Sequence, residues 1–285
     1  MPRINWCSNQ ALETLINKHK SYVGAAKELN CDPESVRLRA HKMKLNVKLN
    51  KSTIDYNQNA FLNEDDISYY LLGAFISDGN IDKKTHRASI NSSDEQWISD
   101  IKNQITNNGK IIVKNNTYTF RFSEPEMIKW LIKNECVPQK SLTVKFPTIP
   151  EKYLPDFIRG IFDGDGSVSC KFYKNKSKFS KNKNLCCKYI ISYICGSSLD
   201  FMQSLHTIIQ SNGFECSFKS QKLRQSKLND GRIIKPTAPQ YRIIFSSKQA
   251  YNFLKWIYYP NNRLRLNRKE DKYKLISIYY SQALE

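Results

Sequence analysis

Two short segments of the chain each place an aspartate and a glycine directly after an apolar stretch with helical character. They read LLGAFISDG over Leu71–Gly79 and IRGIFDGDG over Ile158–Gly166. Carboxylates are hard oxygen ligands, and Mg²⁺ uses one or two of them while taking the rest of its shell from water and substrate phosphate. If Asp78 and Asp165 lie side by side, the pair predicts a metal-dependent phosphoryl-transfer site.

Small residues in both segments explain how the two aspartates would meet. Gly73 and Ser77 are four residues apart, and Gly160 and Gly164 repeat that spacing. Small residues at positions i and i+4 lie on one face of a helix, where a second backbone can approach closely. We therefore expect the two helices to pack by these faces, with their aspartates at the same end. Each Asp-Gly pair taken alone would indicate no more than a helix-ending turn.

Gly79 and Gly166 follow the two aspartates directly. A residue without a Cβ allows the chain to leave a helix sharply and lets backbone or ligand come close. We therefore expect the backbone at both glycines to border the metal beside Asp78 and Asp165. The expected cofactor is Mg²⁺ or Mn²⁺.

The composition indicates a polyanionic partner. The chain has 285 residues with 45 Lys and Arg against 26 Asp and Glu, a formal charge of +19 and a pI near 9.5. Such a balance favours nucleic acid. The eight cysteines form no C-x-x-C pair, so we expect reduced thiols and no structural zinc. No apolar run is long enough to span a bilayer and no signal core follows the first residues, which predicts an intracellular protein without a membrane partner.

The first 47 residues predict a small helical domain of the helix-turn-helix type, followed by a polar linker over residues 48–65. Its helices are expected at Asn9–His19, Tyr22–Leu29 and Pro33–Met43, with Asp32 as N-cap of the third. The third helix would present basic residues to a major groove. An ordinary three-helix bundle with solvated charges is the alternative. The residues expected to contact DNA here are Arg37, Arg39 and Lys42.

The remaining chain divides into two unequal copies of one order of elements, residues 66–150 and 151–285. Each copy has a helix ending in Asp-Gly, two strands, a helix, two strands and a further helix. This predicts an α+β fold of two αββαββα half-domains. The first copy comprises Asp66–Ser77, Ile81, Arg87–Asn91, Asp94–Asn107, Ile111–Lys114, Tyr118–Phe122 and Pro125–Asn134. The second comprises Pro155–Gly164, Ser167–Tyr173, Leu185–Cys195, Leu199–Ser211, Phe214–Lys222, Gln240–Ser246 and Lys248–Tyr258, then a terminal helix near Lys269–Ser281.

Leu71–Gly79 and Ile158–Gly166 resemble the defining motif of the LAGLIDADG homing endonucleases, in the single-chain form with two motifs. The resemblance covers roughly Asp66–Tyr280, and the second motif is the stronger match. The first departs by carrying Ile76 where Asp163 stands in the second. By resemblance, the half-domains are expected to be pseudo-symmetric, with saddle-shaped antiparallel sheets over the DNA major groove.

The same resemblance implies roles for individual residues. Asp78 and Asp165 match the metal-binding aspartates, which would cut opposite DNA strands across the minor groove. Lys140 in VPQKS and Arg268 or Lys269 in LNRKED match basic residues that organise water and screen the phosphate. All of these are therefore expected to be catalytic.

Two basic stretches accompany the strands of the second copy. Seven lysines and no acidic residue lie in Lys171–Lys188, and six basic residues against Asp230 alone lie in Lys219–Lys235. They predict phosphate contacts that weaken with salt, and a solvated lysine loop is the alternative. With polar strand residues that would read bases, the expected DNA contacts are Thr119, Arg121, Lys171, Lys174, Lys188, Lys219, Lys222, Arg224, Gln240 and Arg242.

These observations together predict a monomeric, site-specific double-strand DNA endonuclease that acts on a long asymmetric target and needs no protein partner. One alternative is a non-cutting DNA-binding regulator of the same fold, which the retention of both Asp78 and Asp165 disfavours. Another is an intron RNA maturase. The helix-turn-helix candidate disfavours it, because the major groove of A-form RNA is too deep and narrow for a helix.

Overall fold

A computed structural model of the protein describes residues 7–48, 54–174, 185–221, 226–227, 233–234 and 238–282. The chain divides into two units, Met1–Ile54 and Asp55–Glu285. The predicted DNA contacts Lys222 and Arg224 lie outside the described residues.

Within residues 7–48, the first unit consists of α1 (Asn9–His19), α2 (Tyr22–Glu28) and α3 (Pro33–Lys42), which match the predicted helices to within a residue. A polar side chain caps the start of each helix. Ser8, Ser21 and Asp32 accept hydrogen bonds from the backbone amides two or three residues into the following turn. The buried core of the unit contains Leu12, Ile16, Ala25, Ala26, Val36 and Ala40.

The linker predicted over residues 48–65 is shorter in the structure, because residues from Asp55 onward belong to the second unit. Residues 59–62 form a one-turn helix, α4 (Asn59–Leu62). Phe61 from this helix is fully buried, with its ring centroid 6.1 Å from that of Phe75 and 5.6 Å from that of Trp130. A single turn surrounded by asparagines has no periodicity that the sequence could reveal.

The first copy of the second unit has the predicted order of elements. It comprises α5 (Asp66–Ser77), β1 (Gly79–Asp82), β2 (Arg87–Ser92), α6 (Glu95–Ile105), β3 (Ile111–Lys114), β4 (Thr117–Phe122), α7 (Pro125–Lys133) and a 3₁₀ turn at Lys140–Leu142. The four strands form an antiparallel sheet in the order β1-β2-β4-β3. Alternate residues of β4 are buried and exposed, so Phe120 and Phe122 face the core while Arg121 faces out.

The second copy repeats this order with longer strands. It comprises a 3₁₀ turn at Glu151–Tyr153, α8 (Leu154–Asp165), β5 (Gly166–Lys174), β6 (Leu185–Gly196), α9 (Leu199–Ser211), β7 (Ser217–Gln221), β8 (Ser226–Lys227), β9 (Ile233–Ile234), β10 (Gln240–Ser246), α10 (Ser247–Ile257) and α11 (Asn267–Gln282). Its antiparallel sheet runs β5-β6-β10-β7, and the small β8-β9 pair was not predicted. In the described ranges, two four-stranded antiparallel sheets with helices confirm the predicted α+β fold.

Helices α5 and α8 pack against each other with their backbones in contact. A Cβ on Gly73 would overlap the carbonyl oxygen of Phe157, and a Cβ on Gly160 would lie 2.8 Å from the amide nitrogen of Ala74. Near the ends of the helices, a Cβ on Gly164 would overlap Ser77. All four residues predicted for this interface therefore lie in it, and none of the three glycines leaves room for a side chain.

Alanine at Gly160 is expected to destabilise the protein. Alanine in place of a helical glycine normally stabilises by about 1 kcal/mol, but here the added methyl would push two helix backbones apart. We expect Gly160→Ala to lower the free energy of unfolding by about 1–3 kcal/mol, the usual effect of overpacking, measured by denaturant unfolding. Gln203→Ala, at an exposed position of α9, is the control. Equal or higher stability of Gly160→Ala would contradict the tight interface.

Candidate active site

Asp78 and Asp165 lie at the same end of the α5–α8 pair. Asp78 is the first residue after α5, and Asp165 is the last residue of α8. A Cβ on Gly164 would lie 3.2 Å from Oδ2 of Asp78, so the Asp78 carboxylate reaches the residue directly before Asp165. The close packing of the two helices thus brings together the two acidic residues that the sequence predicted as a pair.

The pKa values of both carboxyl groups are raised. Protein atoms crowd the Asp165 carboxyl although part of the residue faces solvent, and this desolvation, together with the charge of Asp78, raises its pKa to about 7. Burial also raises the pKa of Asp78, against the opposing effect of nearby Lys269, Lys140 and Arg268. The charge of Asp78 disfavours the ionised form of Asp165, so a cation beside the pair would stabilise it.

Two buried lysines lie at the ends of these helices. The Lys140 ammonium donates a hydrogen bond to the carbonyl oxygen of Gly79, just after α5. The Lys269 ammonium donates to the carbonyl oxygens of Phe162 at 2.6 Å and Asp163 at 2.7 Å, in the last turn of α8. The carbonyl groups at a helix C-terminus carry the negative end of the helix dipole and attract a cation. Each copy therefore has a buried lysine bonded to backbone carbonyls near the end of its helix, and the catalytic roles that the resemblance implies for these lysines stay a prediction.

Burial distinguishes Lys269 from its neighbour Arg268. Lys269 is 3% exposed, and this burial lowers its pKa to about 8. Arg268 is exposed, and its Nε lies 3.7 Å from Oδ2 of Asp94 in the first copy. The charge of Arg268 also acts on Asp78. Of the two alternatives that the sequence left open, Lys269 is thus the buried lysine that corresponds to Lys140. Arg268 instead extends from the second copy towards Asp94 of the first copy, and its charge acts on Asp78.

The donor set fits a hard divalent cation. Across the described residues, no group of three or more His, Cys, Asp or Glu side chains is placed to hold a metal. The aspartate pair would supply two carboxylates and leave the other positions to water and phosphate, as Mg²⁺ prefers. The carbonyl of Gly79 is already bonded to Lys140. A Cβ on Gly79 or on Gly166 would crowd the preceding turn of its helix, and a metal role for either glycine stays a prediction.

Asp163 is the position at which the second motif differs from the first, and it has no role as a metal ligand in this geometry. Its carboxylate is 1% exposed and accepts hydrogen bonds from the hydroxyls of Tyr70 at 2.8 Å and Tyr258 at 2.5 Å, and from the amide of Leu266 at 2.8 Å. Sequence reasoning missed this network. The signal that pointed to it was the mismatch between Asp163 and Ile76.

A cavity of about 190 Å³ opens beside Asp165, between the helix pair and the second sheet. Besides Asp165, the residues that line it include Ser77, Ser141, Cys195 and Gln240. Ser141 and Cys195 were not predicted as site residues. A cavity of this size, lined by both polar and apolar residues, has room for several water molecules beside the carboxylate.

The outward face of the first sheet is polar. Arg121 on β4 is paired with Ser89 on β2, and Ser89 is paired with Asn80 on β1, so the three share one row across the sheet. Asn91 and Thr119 are paired in a neighbouring row. Arg121 is exposed and Thr119 half-buried, so both predicted contacts of this sheet lie on its open face.

The outward face of the second sheet is more mixed. Arg242 on β10 is paired with Lys219 on β7 and with Cys195 on β6, and its guanidinium lies 4.8 Å from the ring centre of Tyr193. Exposed Gln240 shares this face of β10. The other predicted residues lie further out: Lys171 is exposed on β5, Lys188 is exposed beside a shift in strand register, and Lys174 ends β5.

The basic residues of α3 have different surroundings. Arg37 is paired with Glu34, with 2.8 Å between Nε and Oε2. Arg39 Nη2 donates to the carbonyl oxygen of Cys7 at 3.0 Å, which ties α3 to the segment before α1. Lys42 is exposed. Of the three predicted contacts, Lys42 is thus the one that is exposed and has no ion pair with an acidic residue of α3.

No protein-family model and no curated protein matches the chain. Similar solved structures include the meganuclease I-SmaMI bound to uncleaveable DNA, with 12% identity, 75% of this chain and 91% of that chain covered, and a TM-score of 0.46. The I-SmaMI LAGLIDADG homing endonuclease bound to cleaved DNA has 12% identity, 75% and 90% coverage and a TM-score of 0.44. The LAGLIDADG meganuclease I-AabMI bound to uncleaved DNA has 12% identity, with 75% of this chain and 91% of that chain covered, and a TM-score of 0.45.

Among the described residues, no helix combines the length and the apolar character needed to cross a membrane.

The raised pKa of Asp165 predicts a pH-dependent stability in the absence of metal. Between about pH 4, where a free aspartate ionises, and pH 7, where Asp165 ionises in the folded chain, the folded state keeps a proton that the unfolded state has lost. Stability therefore falls as pH rises through this window. Asp165→Asn removes the effect, so we expect the variant to gain stability relative to the wild type from about pH 4 to 7 and to keep that gain above it.

Thermal unfolding in a chelator, followed across this pH range, measures the effect. Asp200→Asn, at an exposed position of α9, is the control and should follow the wild type. Mg²⁺ added at pH 8 should raise the melting temperature of the wild type but not that of Asp165→Asn, because the ion replaces the lost proton. A stability difference that does not change with pH would contradict the raised pKa.

Proposed function

We propose that the protein is a divalent-metal-dependent, site-specific double-strand DNA endonuclease of the LAGLIDADG homing endonuclease family. The observation that supports this most is the pairing of Asp78 and Asp165 at the shared end of two helices whose backbones touch. A duplex has two strands of opposite direction, and two related halves that each carry an aspartate and a lysine offer one acidic centre to each strand.

The residues of each half divide the chemical work. Asp78 and Asp165 would hold Mg²⁺ or Mn²⁺, which when bound activates a water molecule for attack on the phosphodiester and stabilises the leaving oxygen. Lys140 and Lys269 hold a positive charge beside the aspartates from fixed, buried positions. A charge that is already in place when negative charge develops on the phosphate lowers the barrier without reorganisation. Arg268 adds an exposed cation near Asp78.

The two sheets supply the expected DNA-binding surface. Their outward faces carry Arg121, Thr119, Arg242, Gln240 and Lys219, on a chain with a formal charge of +19. The strands of the second copy are longer, since β5 and β6 have 9 and 12 residues while β1 and β2 have 4 and 6. At about 3.3 Å per residue, the second sheet covers more of the duplex. An asymmetric target follows from these unequal footprints.

The arrangement of both halves in one chain favours a monomer, because neither metal ligand needs to come from a second copy. The three-helix unit would add a further DNA contact through Lys42 and the exposed face of α3. The partner we expect is thus double-stranded DNA inside the cell, without an obligatory protein partner.

Substitution of either aspartate is expected to abolish cleavage while binding persists. Asp78→Asn and Asp165→Asn each remove a carboxylate ligand, so the cleavage rate should fall by at least about a hundredfold. Affinity for DNA should stay the same or rise, because a negative charge near the phosphates is lost. The substrate is a duplex selected from a random-sequence pool by binding to the wild type without Mg²⁺, and Asp200→Asn is the matched control.

The outcome of this experiment separates the proposed function from its alternatives. Tight binding to one sequence with no cleavage by the wild type in Mg²⁺ or Mn²⁺ would indicate a DNA-binding regulator. Preference for a structured intron RNA over any duplex would indicate a maturase. Cleavage that survives both substitutions would place the chemistry elsewhere.

Removal of an arginine from either sheet face is expected to weaken the salt dependence of DNA binding. Arg121→Ala or Arg242→Ala should each lower the slope of log affinity against log salt by about 1 if the guanidinium neutralises one phosphate. Lys133→Ala, which changes an exposed residue of α7, is the control and should leave the slope unchanged. Binding isotherms at several salt concentrations measure the effect. Slopes equal to that of the wild type would show that neither sheet face contacts the DNA backbone.

A further inference from the structure

The connector of residues 258–266, which joins α10 to α11, is fastened to α8 by buried side chains. One of them is Arg159. Its Nη1 donates to the carbonyl oxygen of Ile257 at 2.9 Å, and its Nε donates to that of Leu264 at 2.8 Å. Arg159 is also paired with Asp156, with 2.7 Å between Nη2 and Oδ1. A buried guanidinium whose three nitrogens are all hydrogen-bonded fixes the backbone that it bonds.

Asp163 is a second residue that fastens the connector, and it lies closer than Arg159 to the candidate active site. It accepts hydrogen bonds from the Tyr258 hydroxyl at the start of the connector and from the Leu266 amide at its end. A third bond comes from the hydroxyl of Tyr70, which belongs to α5 and itself accepts a hydrogen bond from Trp97 Nε1 at 2.7 Å. Asp163 therefore links the connector, α8 and the first copy in one buried network.

Leu266 connects this network to Lys269. Its carbonyl oxygen accepts hydrogen bonds from the amides of Lys269 at 2.9 Å and Glu270 at 3.2 Å, which form the first turn of α11. The amide of the same residue is the one that Asp163 holds. A shift of Leu266 would therefore move the Lys269 side chain relative to the end of α8, where Asp165 lies.

The first copy has no equivalent of this network at the aligned positions. Leu72 and Ile76 stand there in place of Arg159 and Asp163. Neither aliphatic side chain can accept or donate a hydrogen bond, so Lys140 reaches the end of α5 without a carboxylate that fixes its backbone from the helix. The two halves thus share the pair of aspartates and the pair of lysines but differ in how the lysine is held.

We propose that Asp163 is a positioning residue that holds Leu266 and thereby keeps Lys269 aligned with Asp165, a device that the first copy lacks. This inference rests on the proposed nuclease function, because it concerns the cutting of one strand. A displacement of about 1 Å at a reacting centre can reduce a rate about a hundredfold. Asp163 therefore helps to set the rate at which the Asp165 half cuts its strand, and has no such part in the cutting of the other strand.

Single-turnover cleavage with strand-specific labels tests the proposal. The selected duplex carries a different fluorophore on each strand, so both cutting rates are read in one reaction. Lys269→Met and Lys140→Met first assign each strand to its half. Asp163→Ala should then slow the Lys269 strand by about tenfold to a hundredfold and leave the other strand within about twofold of the wild type. Asp163→Asn, which keeps an acceptor for the Leu266 amide, should recover part of the rate.

A milder pair of variants keeps the test decisive if Asp163→Ala does not fold. Tyr258→Phe removes one hydrogen bond to Asp163. Tyr259→Phe is the matched control, since it removes a different bond between the connector and α8, the 2.7 Å bond to Asp156, and leaves Asp163 untouched, so it separates the role of Asp163 from a general loosening of the connector. Tyr258→Phe should slow the Lys269 strand selectively, and Tyr259→Phe should leave the ratio of the two rates unchanged.

Equal slowing of both strands by the Asp163 and Tyr258 variants would show that Asp163 has only a structural role. That result would overturn this inference and leave the proposed function standing. Unchanged rates on both strands would overturn it as well. A wild-type protein that cuts neither strand in Mg²⁺ or Mn²⁺ would overturn the proposed function, and this inference with it.

Discussion

The contact between the backbones of α5 and α8 is the constraint on which the rest of the structure depends. Gly73 and Gly160 remove the side chains that normally keep two helices apart, and Gly164 does the same next to Asp78. Close approach brings two carboxylates to one place, where desolvation by surrounding protein atoms and the charge of Asp78 raise the pKa of Asp165 to about 7. The packing of apolar helices thus brings two carboxylates together, and a divalent cation would offset the repulsion between them.

The buried cations show how the same region is kept together despite these opposed charges. Lys140 and Lys269 each donate to backbone carbonyl groups at or just after the end of a helix, so they hold the backbone there and offset the charge of the aspartates at the same time. Desolvation lowers the pKa of Lys269 to about 8. A lysine held in this way is a fixed charge rather than a mobile one, which suits electrostatic catalysis better than an exposed side chain.

The sequence predicts the parts of this arrangement that depend on local spacing. The small residues at i and i+4 and the Asp-Gly ends lie within short segments, and they yield the helix pair and its aspartates, while the antiparallel sheets came from the family resemblance. The network at Asp163 is different. Its partners Tyr70, Tyr258 and Leu266 lie 93, 95 and 103 residues away along the chain, so no local pattern reveals them. Phe61 was missed because one helical turn has no period, and the inward direction of Arg39 depends on a contact with Cys7.

The steric limits at the glycines also determine where the chain can change during evolution. A substitution at Gly73 or Gly160 strains two helices at once, so such variants should be lost by selection whichever copy they arise in. The outward faces of the sheets carry no such limit, because residues such as Thr119 and Gln240 are not packed in the core. Mutational tolerance is therefore concentrated on the surface that would read DNA sequence. Under the proposed function, a lineage of such proteins can drift to new DNA targets by single substitutions while its aspartate pair stays fixed.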